Sequence, residues 1–319
     1  MAIISFPSSW DSDRTASRPP PPTGSLIVCL LTAASLWGSG PVYGQDSAVV
    51  IGSFDDAAAV SVDPAGNIYV ADAGANRVLK LSRSGGILAS VGGYGWTEQA
   101  LDGPRDVFAP NGLDVYVADE RNHRIQHFDR NLSYVSTLST RHFPEGGGAF
   151  GYPKSMAVSR QGSIYVVDGE NRRVVRFGPG DVPPAAFGGL QSGRGTLHMP
   201  GKVRLNDGDT VYVEDGGGII LYDAFGNYLA GTGENTLRGL RTFALAGRRV
   251  FVADSCRLSV LADEIAPPGV PEMLPCPPNV GYCGITDLDI RNDTLYVLYP
   301  HTLALIPLAS IGGKEGGEN

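Results

Sequence analysis

Three aspartates, Asp72, Asp119 and Asp168, are each followed five residues later by an arginine: Arg77, Arg124 and Arg173. An acid and a base at fixed spacing could move protons, or could hold one another as a forked carboxylate–guanidinium pair. Each aspartate closes an apolar run, Ile68-Tyr69-Val70-Ala71, Val115-Tyr116-Val117-Ala118 and Ile164-Tyr165-Val166-Val167. Short runs rich in β-branched and aromatic residues read as strands. The carboxylate then ends one strand and the guanidinium begins the next, across a turn. That placement favours a structural fastener, whose loss should destabilise the chain rather than inactivate it.

The unit recurs in weaker copies at Val211-Tyr212-Val213-Glu214-Asp215, Val250-Phe251-Val252-Ala253-Asp254 and Leu295-Tyr296-Val297-Leu298-Tyr299. Aligned on their last residues, the copies fall at 72, 119, 168, 215, 254 and 299, with spacings of 47, 49, 47, 39 and 45. Strand-rich units at this period predict a β-propeller, since a helical solenoid would show a 3.6-residue pattern instead. Each unit reads as four short strands separated by glycine-rich turns, in the first unit over residues 59–62, 67–71, 77–81 and 87–91. The last unit has three, over 287–290, 294–298 and 303–308, and the apolar segment 48–54 is expected to supply its fourth. Closure of this kind removes an open sheet edge. The expected fold is all-β, a six-bladed propeller of four-stranded blades whose ring is closed by an N-terminal strand. The expected division is a leader over 1–45, the propeller over 46–310 and a flexible tail over 311–319.

The pattern Pro104-Arg105-Asp106-Val107, then Val115-Tyr116-Val117-Ala118-Asp119 and Asn122-His123-Arg124-Ile125-Gln126, resembles an NHL repeat. Units one and three are similar to it, units four to six diverge, and the resemblance spans about 47–310. It implies a six-bladed propeller. Such rings serve as protein, glycan or RNA binders, and a few related ones are lyases or lactonases, so the resemblance carries fold further than activity.

In a propeller the residue ahead of each inner strand rings one mouth of the central channel. Here these are Ala58, Arg105, Lys154, Gly201, Arg241 and Thr286, with Asp56, Asp106, Lys202 and Asp287 beside them. Four of the six units bring a base, a local reversal of sign on an acidic chain. One reading is an anion-binding mouth built from Arg105, Lys154, Lys202, Arg241, Asp106 and Asp287. The other is that the bases pair with Asp56, Asp106 and Asp287 and plug the channel. An enzyme of the lactonase type would need oxygen ligands for calcium, which Asp56, Asp106, Asn206 and Asp287 could in part supply. A lyase held by imidazoles would need about three of them to converge. Of the five histidines, His123, His127, His142, His198 and His301, only His198 falls near the mouth. No catalytic residue, metal ligand or cofactor is assigned.

The chain has 319 residues, 42% of them hydrophobic, and a formal net charge of −8, which disfavours nucleic acid as a partner. Residues 25–37 form an uncharged apolar run followed by a small, polar stretch, as in a signal peptide, and export to the periplasm or the extracellular space is expected. The segment ahead of it, with Asp11, Asp13, Arg14, Arg18 and four prolines at 19–22, is a poor leader start; the other reading of 25–37 is a membrane anchor behind a disordered tail. Beyond Cys29, either Cys276 and Cys283 close a short loop or Cys256 pairs with one of them. Tyr94 and Trp96 stand among glycines between units one and two, either as partner contacts or with Trp96 wedged between blades. The expected role is a monomeric, exported, non-catalytic module binding a protein or glycan partner, with an anionic small ligand as a further candidate. The alternative is a metal-dependent lactonase or lyase at the channel.

Overall fold

The computed structural model describes residues 48–140, 148–180, 182–232, 237, 239–254, 256–261, 271–275 and 279–311. The predicted leader, Cys29, His142, Cys276 and residues 312–319 lie outside the described residues. Six four-stranded antiparallel sheets are present. Blade 1 comprises Ala57–Val62, Ile68–Asp72, Arg77–Leu81 and Ile87–Gly92. Blade 2 comprises Pro104–Phe108, Asp114–Asp119, Arg124–Asp129 and Tyr134–Ser139. Blade 3 comprises Pro153–Val158, Ile164–Asp168, Arg173–Phe177 and Ala185–Phe187. Blade 4 comprises Pro200–Leu205, Val211–Asp215, Gly218–Tyr222 and Tyr228–Gly231. Blade 5 comprises Thr242–Ala246, Arg249–Ala253, Leu258–Leu261 and Glu272–Met273.

Blade 6 takes Asp287–Arg291, Thr294–Leu298 and Leu303–Pro307 from one end of the propeller and Val49–Ile51 from the other. Val49 pairs with Leu305 and Ile51 with Leu303, antiparallel, so the ring closes as the sequence predicts. The first strands of successive blades touch one another around the ring and line the channel. Among the described residues no helix is long and apolar enough to cross a membrane.

Neighbouring blades meet through six hydrophobic clusters, one at each interface. The second strand of blade 1 shows why its sequence is apolar on both faces. Ile68 and Val70 pack against Tyr296 and Leu298 of blade 6, whereas Tyr69 and Ala71 pack against Val107 and Val117 of blade 2. A strand buried on both sides loses the polar alternation of a half-exposed one. The tyrosines add a polar reach: the Tyr69 hydroxyl donates to Arg130 O of blade 2 at 3.2 Å and that of Tyr165 to Ala224 O of blade 4 at 2.8 Å. Each fully buried aliphatic side chain in these clusters contributes about 2 kcal/mol. Ile311, the first residue of the predicted tail, is buried among them.

Candidate functional site

The acid-to-arginine pairs form as the spacing predicts. Arg77 donates through Nε and Nη2 to Asp72 Oδ2 at 3.0 and 2.9 Å, Arg124 Nε to Asp119 Oδ2 at 2.7 Å, and Arg173 Nε to Asp168 Oδ2 at 3.0 Å. In each case the two residues are cross-strand partners. The second carboxylate oxygen accepts backbone N–H groups of the loop entering the same blade, from Asp55 and Asp56 in blade 1, Asp102 in blade 2 and Gly151 in blade 3. Each pair therefore ties a hairpin to the chain that leads into its blade. Arg124 goes further and donates to the carbonyls of Trp96, Thr97 and Ala100 at 2.8–2.9 Å, fixing the loop that carries Tyr94 and Trp96. Both aromatics point outward, 74% and 77% exposed, so Trp96 does not wedge between blades.

Within the channel the first strands meet in a polar plug. Asp106 of blade 2 receives Arg204 of blade 4 as a fork at 2.9 and 3.0 Å, the Ser155 hydroxyl of blade 3 at 2.5 Å and the Met156 amide at 3.1 Å. Lys202 of blade 4 pairs with Asp287 of blade 6 and donates to Leu288 O at 3.0 Å and to the Thr242 hydroxyl of blade 5 at 3.3 Å. Asp287 also accepts the Val60 amide of blade 1 at 3.0 Å, so all six blades contribute to the plug. Burial pushes the Asp106 carboxyl up, but Arg204, Lys202 and Ser155 outweigh it and hold it below the usual range. Burial, with help from Arg204, pulls the Lys202 ammonium down against the opposing charge of Asp287.

Above the plug, all six positions aligned from sequence line one cleft of about 210 Å³: Ala58, Arg105, Lys154, Gly201, Arg241 and Thr286. Of the pairings considered from sequence, Lys202 with Asp287 forms, whereas Arg105, Lys154 and Arg241 do not pair with Asp56, Asp106 or Asp287. Lys202 and Asp287 neutralise each other, while Asp106 is taken by Arg204 rather than by a mouth base. Asp56 is exposed and stands outside the cleft. Arg105 and Arg241, both exposed, and half-buried Lys154 make no side-chain hydrogen bond or ion pair with another described residue. Three cations thus converge on one cleft, whose lining also includes the carboxylic side chains of Glu120 and Glu214; clustered cations of this kind suit a carboxylate, sulfate or phosphate group. The oxygen ligands considered for calcium are scattered: Asp106 and Asp287 are in the plug, and Asn206 lines a separate cleft of about 310 Å³ on the far side of it.

Several residues of the site, Glu120, Ser155 and Thr242 among them, are absent from the sequence-based assignment, and two carry most of the chemistry. Arg204 fills the axis by reaching across from blade 4, a contact between residues 98 apart with no local signal. Glu214 lines the mouth and is 8% exposed. Burial, with the neighbouring Asp215 charge adding to it, raises its carboxyl to about 7 against the backbone amides of Lys202 and Gly216 and the charge of Lys154. Its signal was present: the equivalent residues Ala71, Ala118, Val167 and Ala253 are apolar. Gly201 accommodates it, because a Cβ there would lie 1.9 Å from Glu214 Oε2. His198 stands beside the mouth, in a second cleft of about 490 Å³ over blade 4 that shares Met199 with the first.

Comparison with known proteins agrees with this architecture. The NHL repeat family model matches residues 101–128, most of the first three strands of blade 2. The NHL repeat-containing protein 2 of Gallus gallus is 34% identical over 88 residues, covering 25% of this chain and 12% of that protein. The match thus spans about an eighth of the relative's length. Among solved structures, a streptogramin B lyase has a TM-score of 0.58 at 10% identity, covering 81% of this chain and 97% of that one. Virginiamycin B lyase from Staphylococcus aureus has a TM-score of 0.53 at 11% identity, covering 77% and 78%. At such identities the likeness is one of fold alone. The chain is a six-bladed β-propeller that carries a match to the NHL repeat in blade 2.

Proposed function

We propose that the chain is a non-catalytic binding module whose channel mouth receives an anionic group of a protein or glycan partner. The observation that carries this is the convergence on one cleft of Arg105, Lys154 and Arg241, which make no ion pair with another described residue. The plug below already balances its own charges, so these three cations are not needed to hold the ring together. Clustered cations at a low-dielectric concavity focus potential and raise the local concentration of anions. Tyr94 and Trp96, held out from the loop before blade 2, offer further contact.

The dispersal of the candidate calcium ligands supports binding over the metal-dependent lactonase or lyase alternative. Among the described residues, no group of three or more His, Cys, Asp or Glu is placed to hold a metal ion. An exported, periplasmic or extracellular location is supported by the disulfide between Cys256 and Cys283. That bond selects one of the pairings the sequence left open. Calorimetric titration with sulfate and with galacturonate tests the mouth. Arg105→Ala combined with Lys154→Ala is expected to weaken binding about tenfold or more; binding unaltered by the double substitution overturns the reading.

A further inference from the structure

The hairpin between the second and third strands of blade 4 is shorter than its counterparts. Blades 1–3 use the four residues 73–76, 120–123 and 169–172, whereas blade 4 uses only Gly216 and Gly217, both at positive φ. The shortening keeps the acid and exchanges its partner: Asp215 pairs across the strands with Gly218, where blades 1–3 place Arg77, Arg124 and Arg173. Half of the fastener survives. Asp215 Oδ1 accepts the backbone N–H groups of His198 at 2.8 Å and Met199 at 2.6 Å, from the loop entering the blade. The other half is missing, for no described guanidinium reaches Oδ2, which shares the His198 backbone N–H at 3.0 Å and has Nδ1 of the exposed His198 ring at 3.5 Å.

Among the described residues, a cleft of about 490 Å³ lies beside this position, lined by Asp215, Gly216, Gly217, Gly218 and Tyr228. Three times in this molecule the same carboxylate position pairs with a guanidinium at 2.7–3.0 Å. A carboxylate of this kind matches the planar donor fork of arginine, and a tyrosine face adds a surface on which it stacks. We propose that the cleft over blade 4 binds the guanidinium group of an arginine side chain presented by a protein partner. Asp215 then takes from the partner the pairing that Asp72, Asp119 and Asp168 take from their own blades. The inference stands apart from the anion reading of the mouth, although Met199 borders both clefts and a bound peptide would lie close to each.

The test is an NMR and calorimetric titration of the full chain with acetyl-Gly-Arg-Gly-amide. The expected result is perturbation of the Asp215–Gly218 amides by the arginine peptide. The neutral citrulline and the lysine counterparts should bind about tenfold more weakly, lacking the charge and the fork respectively. Asp215→Asn should abolish the response. Gly218→Arg, which restores the internal partner, should raise Tm by about 2–4 °C and block the peptide while leaving sulfate binding at the mouth unchanged; it keeps the test decisive if Asp215→Asn folds poorly. Arg194→Ala should strengthen binding by removing an exposed cation from the cleft wall. Citrulline or lysine peptides binding equally well, peptide shifts that survive Gly218→Arg, or no response up to about 10 mM peptide would each overturn the proposal. The Arg105→Ala, Lys154→Ala variant should retain the peptide, so failure at the mouth and failure at the cleft are separable.

Discussion

Blades 1–3 and blades 4–6 share strand order and interface packing but secure their hairpins by different means. In the first half the device is uniform: a carboxylate with no exposed side-chain surface caps the incoming loop with one oxygen and grips its own arginine with the other. In the second half each blade improvises. Blade 4 keeps only the loop cap, at Asp215. Blade 5 ties its hairpin through Cys256 to Cys283 on the loop before blade 6. Blade 6 places Tyr299 at the equivalent point, and its hydroxyl donates to Gly281 O in that loop at 2.5 Å. The requirement common to all six is a tie between hairpin and loop, and the arginine is the part that can be given up. Where it is given up, in blade 4, space opens beside the channel mouth. The regular half thus reads as scaffold, and the irregular half holds the larger cleft and the buried acid at the mouth.

The largest expected effect comes from breaking an intact fastener. Asp119→Ala leaves the loop amide of Asp102 without its acceptor and the 11%-exposed guanidinium of Arg124 without its counter-charge, with only backbone carbonyls to donate to. Removing one partner of a buried pair leaves an uncompensated charge, so a loss of about 4 kcal/mol is expected in urea denaturation. A loss under about 1 kcal/mol would remove the distinction between the two halves.

Reduction of Cys256–Cys283 is the corresponding break in the second half. The bond closes a sequence separation of 27 residues, and restoring that freedom to the unfolded chain should cost about 3.5 kcal/mol. Thermal melts with and without reductant measure it. An unchanged Tm would mean that the packing of blades 5 and 6 suffices without the tie.

The buried acid of blade 4 separates the halves by pH. Glu214 is raised in the folded chain from 4.5 to about 7, so its contribution is fully present below the unfolded value and is lost as pH rises through about 7. The loss amounts to about 3 kcal/mol across that window. Glu214→Gln should flatten this part of the stability–pH curve, as read by denaturation at several pH values, whereas Ala71, Ala118 and Val167 at the equivalent positions give blades 1–3 no such term. Protonation also removes a negative charge from beside Lys154, so sulfate should bind more tightly as pH falls through the same range.

These contrasts also show where the sequence was legible. Strand identity could be read from runs such as Ile68-Tyr69-Val70-Ala71, because burial between two blades imposes an apolar residue at every step. The mouth positions could be read by alignment, because the ring repeats geometry and Arg105, Lys154 and Arg241 inherit it. Side-chain pairing across the axis could not. Whether Asp106 meets Lys202 or Arg204 depends on lengths and directions of chains from blades far apart in sequence, and periodicity carries no record of that choice. The cleft over blade 4 was visible only as an absence, Gly218 where an arginine recurs, and its meaning required seeing that Asp215 remains in place.

The smallest expected effect is the sharpest test of that last point. Asp215→Ala removes the same atom set as Asp119→Ala, but it strands no internal guanidinium. What it leaves unpaired are the amides of His198 and Met199, and both residues are exposed enough for water to replace the carboxylate. A loss of about 1 kcal/mol is therefore expected by the same urea measurement. The ratio between the two aspartates matters more than either value. Equal losses would imply that Asp215 already has a cationic partner within the chain, and the cleft beside it would then be filled rather than available.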